Sequence, residues 1–343
     1  MNPKKVTILW ALRSRCKMSC RYCYFGEEAT DQLGVLSHAS RNDLPATQVL
    51  AFAETMGGSD VERVVLAGGD PLDWPQTLPL IRALKAAEVE VVVATDGIAL
   101  NRPPVLQGLL DAGVDGLSVS LDSTEPDGND EYRTSRSGKF GHADVLAGIR
   151  AVLAARTSGA RPRVGIYTVV HRRNVPQVTA LAQLADDLGV DYYVPQPISL
   201  SPNHPLDAEL TPTPEDTVAI AEQLASLYTG GYRVALPDAS YARKFVAAIA
   251  SRTPGTAGDC FGGSELFFIQ PDGTWWDCPS DLRIEATPPQ RQRSIAGADV
   301  KDLLRGRPAC ADCSLFGRDC VSMWPLTSDL GRFMNPDPMA VAR

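Results

Sequence analysis

No stretch of this sequence is long and apolar enough to span a bilayer, which takes about 20 consecutive apolar residues. The first apolar run, Val6 to Leu12, stops at Arg13 and has no small-residue cleavage site after it, so it does not read as a secretory signal. Both absences lead to the expectation of a cytoplasmic chain with no membrane partner. Positive charge is short as well. The chain has 33 Lys and Arg against 41 Asp and Glu, a formal net charge of −8. Tracking a nucleic-acid backbone needs a basic face, so nucleic acid is not an expected partner. The densest basic run, His171-Arg172-Arg173, reads as a solvated loop. Histidine is scarce, with four residues, and cysteine is missing altogether between Cys23 and Cys260.

What is present is ordinary globular material: 343 residues, 44% hydrophobic and 22% charged, enough for a full core and a smaller appendage. Short β-branched runs at 6–12, 61–68, 89–95, 116–121, 163–170 and 190–196 alternate with amphipathic stretches at 46–56, 77–87, 104–112, 143–155 and 175–188. Apolar strands separated by such helices predict βαβ units around a parallel sheet, either open and doubly wound or a complete or partial barrel. Gly113 and Gly189 follow two of the helices and fit left-handed caps. Two more helices are expected near 214–228 and 239–250. The expected division is a first domain at 1–210, bridging helices at 211–255 and a cysteine-bearing extension at 256–343.

The eight cysteines fall in two groups. With no export signal, metal binding or catalysis is a better expectation for them than disulfides. Cys16, Cys20 and Cys23 form a CxxxCxxC triplet just past the first strand. A loop can wrap three such thiolates around one cube-shaped cluster, a different iron on each sulfur. The fourth iron is then open to a small molecule. A zinc site would prefer four Cys or His ligands in paired spacing, and His38 is the nearest histidine after the triplet.

With an aromatic, Tyr22, before its third cysteine, this triplet resembles that of the radical S-adenosylmethionine (radical SAM) superfamily. Further positions match in order at the ends of successive predicted strands. Gly68-Gly69-Asp70-Pro71 stands where the family usually has Gly-Gly-Glu-Pro, and Thr95-Asp96-Gly97 where many members have Thr-Asn-Gly. Ser118, Ser120 and Asp122 lie in a segment similar to the family's Ser-Leu-Asp, and Arg133 follows at a familiar spacing. The resemblance implies a partial (β/α)6 barrel of TIM type. It also implies a [4Fe–4S] cluster on Cys16, Cys20 and Cys23 and S-adenosylmethionine on its open iron. The glycine backbone would meet the cofactor's amino group, and Tyr22, Asp70, Pro71, Thr95, the serines, Asp122 and Arg133 would complete its site. Cleavage of the cofactor would give a 5′-deoxyadenosyl radical that removes a hydrogen atom from substrate, the electron coming from a donor such as flavodoxin or ferredoxin.

In the extension, Cys260 and Cys278 flank an apolar strand, a Pro-Asp-Gly turn at 271–273 and an aromatic strand. That is a hairpin signal bringing the two thiols together. Cys310 and Cys313 supply a close pair, and Cys320 follows. A zinc ribbon is the alternative reading. The spacing Cys260, Gly273, Cys278 resembles the SPASM/twitch extensions of the same superfamily, but with nothing after Cys320. It is most similar to the shorter form found in aminocyclitol dehydrogenases. The resemblance implies one auxiliary [4Fe–4S] cluster on Cys260, Cys278, Cys310 and Cys313. Cys320 is then left over, a candidate hydrogen donor to an inverted carbon.

The substrate expectation is a small polyhydroxylated molecule, a sugar or aminocyclitol of secondary metabolism, oxidised or epimerised. It rests on the early first strand, ahead of which no leader-binding domain is fused. A short ribosomally made peptide is the alternative, and a non-catalytic iron–sulfur or zinc protein is the reading from another class.

Overall fold

The computed structural model describes residues 5–23, 43–156, 161–200, 203–251, 253–280, 283–284, 287–305 and 313–336. Strands β1 (Val6–Ala11), β2 (Val61–Ala67), β3 (Glu90–Thr95), β4 (Gly116–Ser120), β5 (Arg163–Val170) and β6 (Tyr192–Pro197) pair in parallel, in sequence order. Helices Ala46–Glu54, Thr77–Ala86, Pro103–Ala112, His142–Ala155 and Val178–Leu188 make the crossovers. Gly113 and Gly189 cap two of them at φ 74° and 76°, as their positions predict. The fold is an α/β partial barrel of parallel strands followed by a small C-terminal region with an antiparallel hairpin.

Both faces of the sheet are buried, which explains the near-continuous apolar runs. The period of two divides each run. Ile8, Trp10, Val64, Leu66, Val91 and Val93 point to the helices. Leu9, Ala11, Val65, Ala67 and Val92 point into the barrel, where Tyr167, Tyr192 and Val194 join them.

The extension is fused to the barrel more closely than a separate appendage would be. After β7 (Gly255–Ala257), the predicted hairpin forms from β8 (Leu266–Ile269) and β9 (Thr274–Trp276). β8 pairs in parallel with β1, from Thr7 against Leu266 to Trp10 against Ile269. β10 (Arg293–Ser294) pairs with β9, giving one nine-stranded sheet, and β11 (Cys313–Phe316) pairs antiparallel with β7. The last helix, Ser328–Met334, sends Leu330, Phe333 and Met334 into the barrel interior.

Phe333 is fully buried and stacks on Tyr192 with centroids 4.9 Å apart and planes 5° from parallel. Phe333→Ala should cost about 3–5 kcal/mol. It should lower the denaturant midpoint without changing the slope of the transition. A shift worth less than about 1 kcal/mol would show that this helix does not fill the barrel.

Candidate active site

β1 hands the chain to a loop that carries the three cysteines over the C-terminal end of the sheet. Cys16, Cys20 and Cys23 line one cavity of about 270 Å³, together with the ends of β2 to β6. That is the end at which a parallel α/β barrel places its chemistry. Burial pushes the Cys16 and Cys20 thiols up to about 12. The charge of Asp70 adds to this at Cys16, and Arg133 opposes it at Cys20. Metal binding expels such protons, and the Met18 N–H, 3.4 Å from Cys16 Sγ, is placed to stabilise a thiolate. Three sulfurs facing one cavity fit an iron–sulfur cube with one free corner. Among the described residues, no three His, Cys, Asp or Glu side chains converge closely enough to share a single metal ion. Ligands to separate corners of a cube need not do so.

The Gly-Gly pair is explained by the loop itself. Gly69 donates its N–H to the Arg13 carbonyl at 2.7 Å, and a Cβ on it would lie 1.9 Å from the Arg15 carbonyl oxygen. Gly68 has φ +107°, and a Cβ on it would lie 2.9 Å from both the Arg13 carbonyl oxygen and Leu12 N. The glycines let the cysteine loop lie directly against β2, and of the two only Gly68 lines the cavity. Pro71 opens a short helical turn behind it.

Asp70 accepts hydrogen bonds from Leu72 N, Thr95 Oγ1 and Asp96 N at 2.7–2.8 Å, tying the ends of β2 and β3 together. Asp70 and Thr95, expected at the cofactor site, line the cavity, and Asp96 lines it too. Its signal was present in Thr95-Asp96-Gly97. Burial, then the charge of Asp70, pushes Asp96 up to about 8, and burial raises Asp70 as well.

From β4, Ser120 lines the cavity, whereas Ser118 lies deeper, 3.0 Å from the Tyr192 hydroxyl. Asp122 is almost completely buried and is engaged on every side. Its Oδ2 accepts from the Tyr22 hydroxyl and Arg133 Nε, and its Oδ1 from the Val169 N–H at 2.7 Å. Tyr22 and Arg133 line the cavity, so Asp122 positions cavity residues from behind. His171 packs against Tyr22 and Tyr132, at centroid distances of 5.8 and 5.2 Å. Burial lowers it to about 4, so it is neutral. The run expected to be a solvated loop thus begins with a buried residue, and its arginines pair with Asp216 and Glu209.

Gln196, Ser322 and Met323 also line the cavity and carry no sequence signal. Gln196 Nε2 donates to the Ser322 carbonyl at 2.6 Å, so the helix Arg318–Met323 closes one wall.

A second, smaller cavity of about 60 Å³ is lined by Cys260, Cys278, Cys313 and Cys320, with Phe261, Phe316 and Trp324. Cys310 lies outside the described residues. The sulfurs of Cys260, Cys278 and Cys313 each accept the N–H two residues on, at 3.4 Å, as Cys16 does. Cys320 differs in that its Sγ points to the Leu315 carbonyl at 3.9 Å; burial pushes its thiol up, as it does that of Cys278. It sits with the other tail thiols and not in the first cavity, where a hydrogen donor to substrate would be needed.

Residues 12–185 match the Radical SAM superfamily. The chain belongs to this superfamily. Radical SAM enzymes use a [4Fe–4S] cluster and S-adenosylmethionine, and the three-thiol cavity fits both. Among relatives, the chain is 29% identical over 188 residues to the AdoMet-dependent heme synthase of Methanosarcina barkeri, covering 54% of this chain and 49% of that one. It is 25% identical over 276 residues to the mycofactocin maturase MftC of Mycobacterium tuberculosis, covering 80% and 64%. The chain thus spans about half the length of the first curated relatives it matches. Its fold is similar to that of Streptococcus suis SuiB bound to S-adenosylmethionine, with TM-score 0.66 at 13% identity over 89% of this chain and 66% of that one. Among the described residues, no helix is long and apolar enough to cross a membrane.

The Asp70–Asp96 pair gives the metal-free protein a pH signature. Because its folded pKa is raised, Asp96 favours the folded state most below about pH 4. That contribution is lost as pH rises through about 8. Asp96→Asn removes the titration and keeps an acceptor for the Ile98 N–H at 2.8 Å. The variant should melt above wild type at about pH 8.5 and close to it at about pH 5. A difference in melting temperature that does not change with pH would contradict this account.

Proposed function

We propose that this radical SAM enzyme acts on a peptide, with Cys16, Cys20 and Cys23 holding its catalytic cluster. The observation that carries the cluster assignment is the convergence of the three loop thiols and five strand ends on one cavity. S-adenosylmethionine bound there supplies a carbon-centred radical able to take hydrogen from an unactivated carbon. The chain's own residues position it. Asp70, Thr95, Asp96 and Ser120 offer polar groups to the cofactor, and Arg133, locked by Asp122, holds a positive charge beside Cys20.

The peptide reading replaces the polyhydroxylated substrate as the favoured one. On the side of β5 and β6 the cavity wall is Val169, Pro197, Ile198 and Met323, with Gln196, Ser199 and Ser322 as its polar members. The Gln196 amide nitrogen already donates to the Ser322 carbonyl. A ring of hydroxyl groups would leave hydrogen bonds unmade against such a wall, at about 1–3 kcal/mol each, whereas a peptide side chain fits it. MftC is named a maturase, and SuiB has a structure bound to its precursor peptide SuiA, which supports the same choice.

The tail would hold an auxiliary [4Fe–4S] cluster on Cys260, Cys278 and Cys313, with Cys310 as fourth ligand from the sequence pattern. Among the described residues, the only thiols lining the first cavity are those of the cysteine loop. This favours oxidation of substrate, with the auxiliary cluster as electron acceptor, over an epimerisation that needs a thiol donor.

Anaerobically reconstituted protein should hold about eight iron atoms per chain, two four-iron clusters. With S-adenosylmethionine and a reductant, 5′-deoxyadenosine should form and be stimulated by short peptides encoded beside its gene. Replacing Cys16, Cys20 and Cys23 with Ala should abolish it and leave the tail iron in place. Stimulation by an aminocyclitol and not by peptide would overturn the substrate reading. Loss of tail iron on Cys320→Ala would make Cys320 the fourth ligand.

A further inference from the structure

The cysteine loop is one strand of a short antiparallel ladder. Ser19 N donates to Thr134 O, Arg21 N to Tyr132 O and Arg136 N to Lys17 O, at 2.8–3.0 Å, with Met18 bridged to Ser135. In this register Cys20 lies opposite Arg133. Alternation along a strand sends successive side chains to opposite faces. Met18, Cys20, Tyr22 and Arg133 accordingly line the first cavity, while Lys17, Arg21 and Arg136 are exposed on the other face. One strand thus separates the Cys20 thiol from that surface, and Arg136 Nε donates to the Cys16 carbonyl at 3.1 Å.

Among the described residues, the outer surface of the ladder is cationic in an otherwise acidic protein. Residues 13–21 and 133–141 contain no Asp or Glu at all, although the chain as a whole carries −8. Arg15 and Lys139 are exposed as well. Next to Lys139, Phe140 is one of the large hydrophobic side chains left exposed. Asp73 holds Lys17 at 2.5 Å and Glu131 is exposed at the ladder's end; among the described residues of the two segments the balance stays positive. Exposed cations together with an exposed aromatic in the same segments make a surface suited to an acidic protein partner.

We propose that this face docks a small acidic one-electron carrier protein, of the flavodoxin or ferredoxin kind, that reduces the cluster. The proposal rests on the cluster assignment to Cys16, Cys20 and Cys23. The step moves one electron and no atoms: the carrier is oxidised, and the cluster behind the ladder is reduced. The negative charge of the rest of the chain repels such a carrier from other surfaces and so orients it.

The test compares reduced flavodoxin with dithionite, a small reductant that needs no docking face, in the reconstituted full chain. A triple variant Arg15→Glu, Arg21→Glu, Lys139→Glu is set against a control of equal charge change on the outer helices, Arg82→Glu, Arg150→Glu, Arg243→Glu, all of them exposed. The flavodoxin-driven rate of 5′-deoxyadenosine formation should fall about tenfold or more in the triple variant. The dithionite-driven rate should hold, the control should lose less, and added salt should slow wild type and not the variant. Titration of oxidised flavodoxin should show weaker binding to the triple variant. An unchanged flavodoxin-driven rate, an equal loss in the control, or an equal loss with dithionite would each overturn the proposal. If the cluster assignment fails, wild type forms no 5′-deoxyadenosine with either reductant. The titration then still decides the docking face, since it needs no turnover.

Discussion

A carboxylate buried at the end of β4 has to be fully compensated, and that compensation organises the site. Asp122 is desolvated almost completely. Removing one partner from such a group costs about 3–5 kcal/mol, so its bonds to Tyr22, Arg133 and the Val169 N–H are obligatory. Those bonds join four segments: the cysteine loop, the 131–136 strand, the end of β4 and the end of β5. Once Tyr22 and Arg133 are held, the ladder places Cys20 against Arg133 and turns its side chain inward. The cysteine loop is therefore positioned by a charge that never enters the cavity.

The extension belongs to the same mechanical unit. β8 continues the barrel sheet on the free edge of β1, which also protects that edge from pairing with other chains. The helix Arg318–Met323 is a shared wall: Cys320 lines the tail cavity, and Ser322 and Met323 line the first. Two cavities lined by thiols thus lie on either side of one short helix.

Local signals were legible because each has a local cause. The period-two division of the apolar runs, the glycine caps and the Pro-Asp-Gly hairpin turn depend on backbone conformation and burial alone, and the six parallel strands follow from them. The Gly-Gly pair was readable as a motif, but its reason here, the carbonyls of Arg13 and Arg15 pressed against it, was not. Ser118 and Asp122, expected at the cofactor site, do not line the cavity but bond to Tyr192 and to the loop network, because strand alternation and depth decide which polar groups reach the opening.

By itself the sequence determined the chemistry available: three closely spaced thiols, strand ends rich in small and acidic residues, and a second cysteine group behind a hairpin. These are properties of neighbours in the chain. Tertiary structure decided what residues far apart in sequence do together. It put Cys320 with the tail thiols, buried His171 behind Tyr22, and brought Gln196, Ser322 and Met323 to the cavity. It also gathered a cationic face from two segments more than a hundred residues apart, neither of them the densest basic run. Charge density along a chain says little about charge density on a surface, because the pairing of strands chooses which side chains share it.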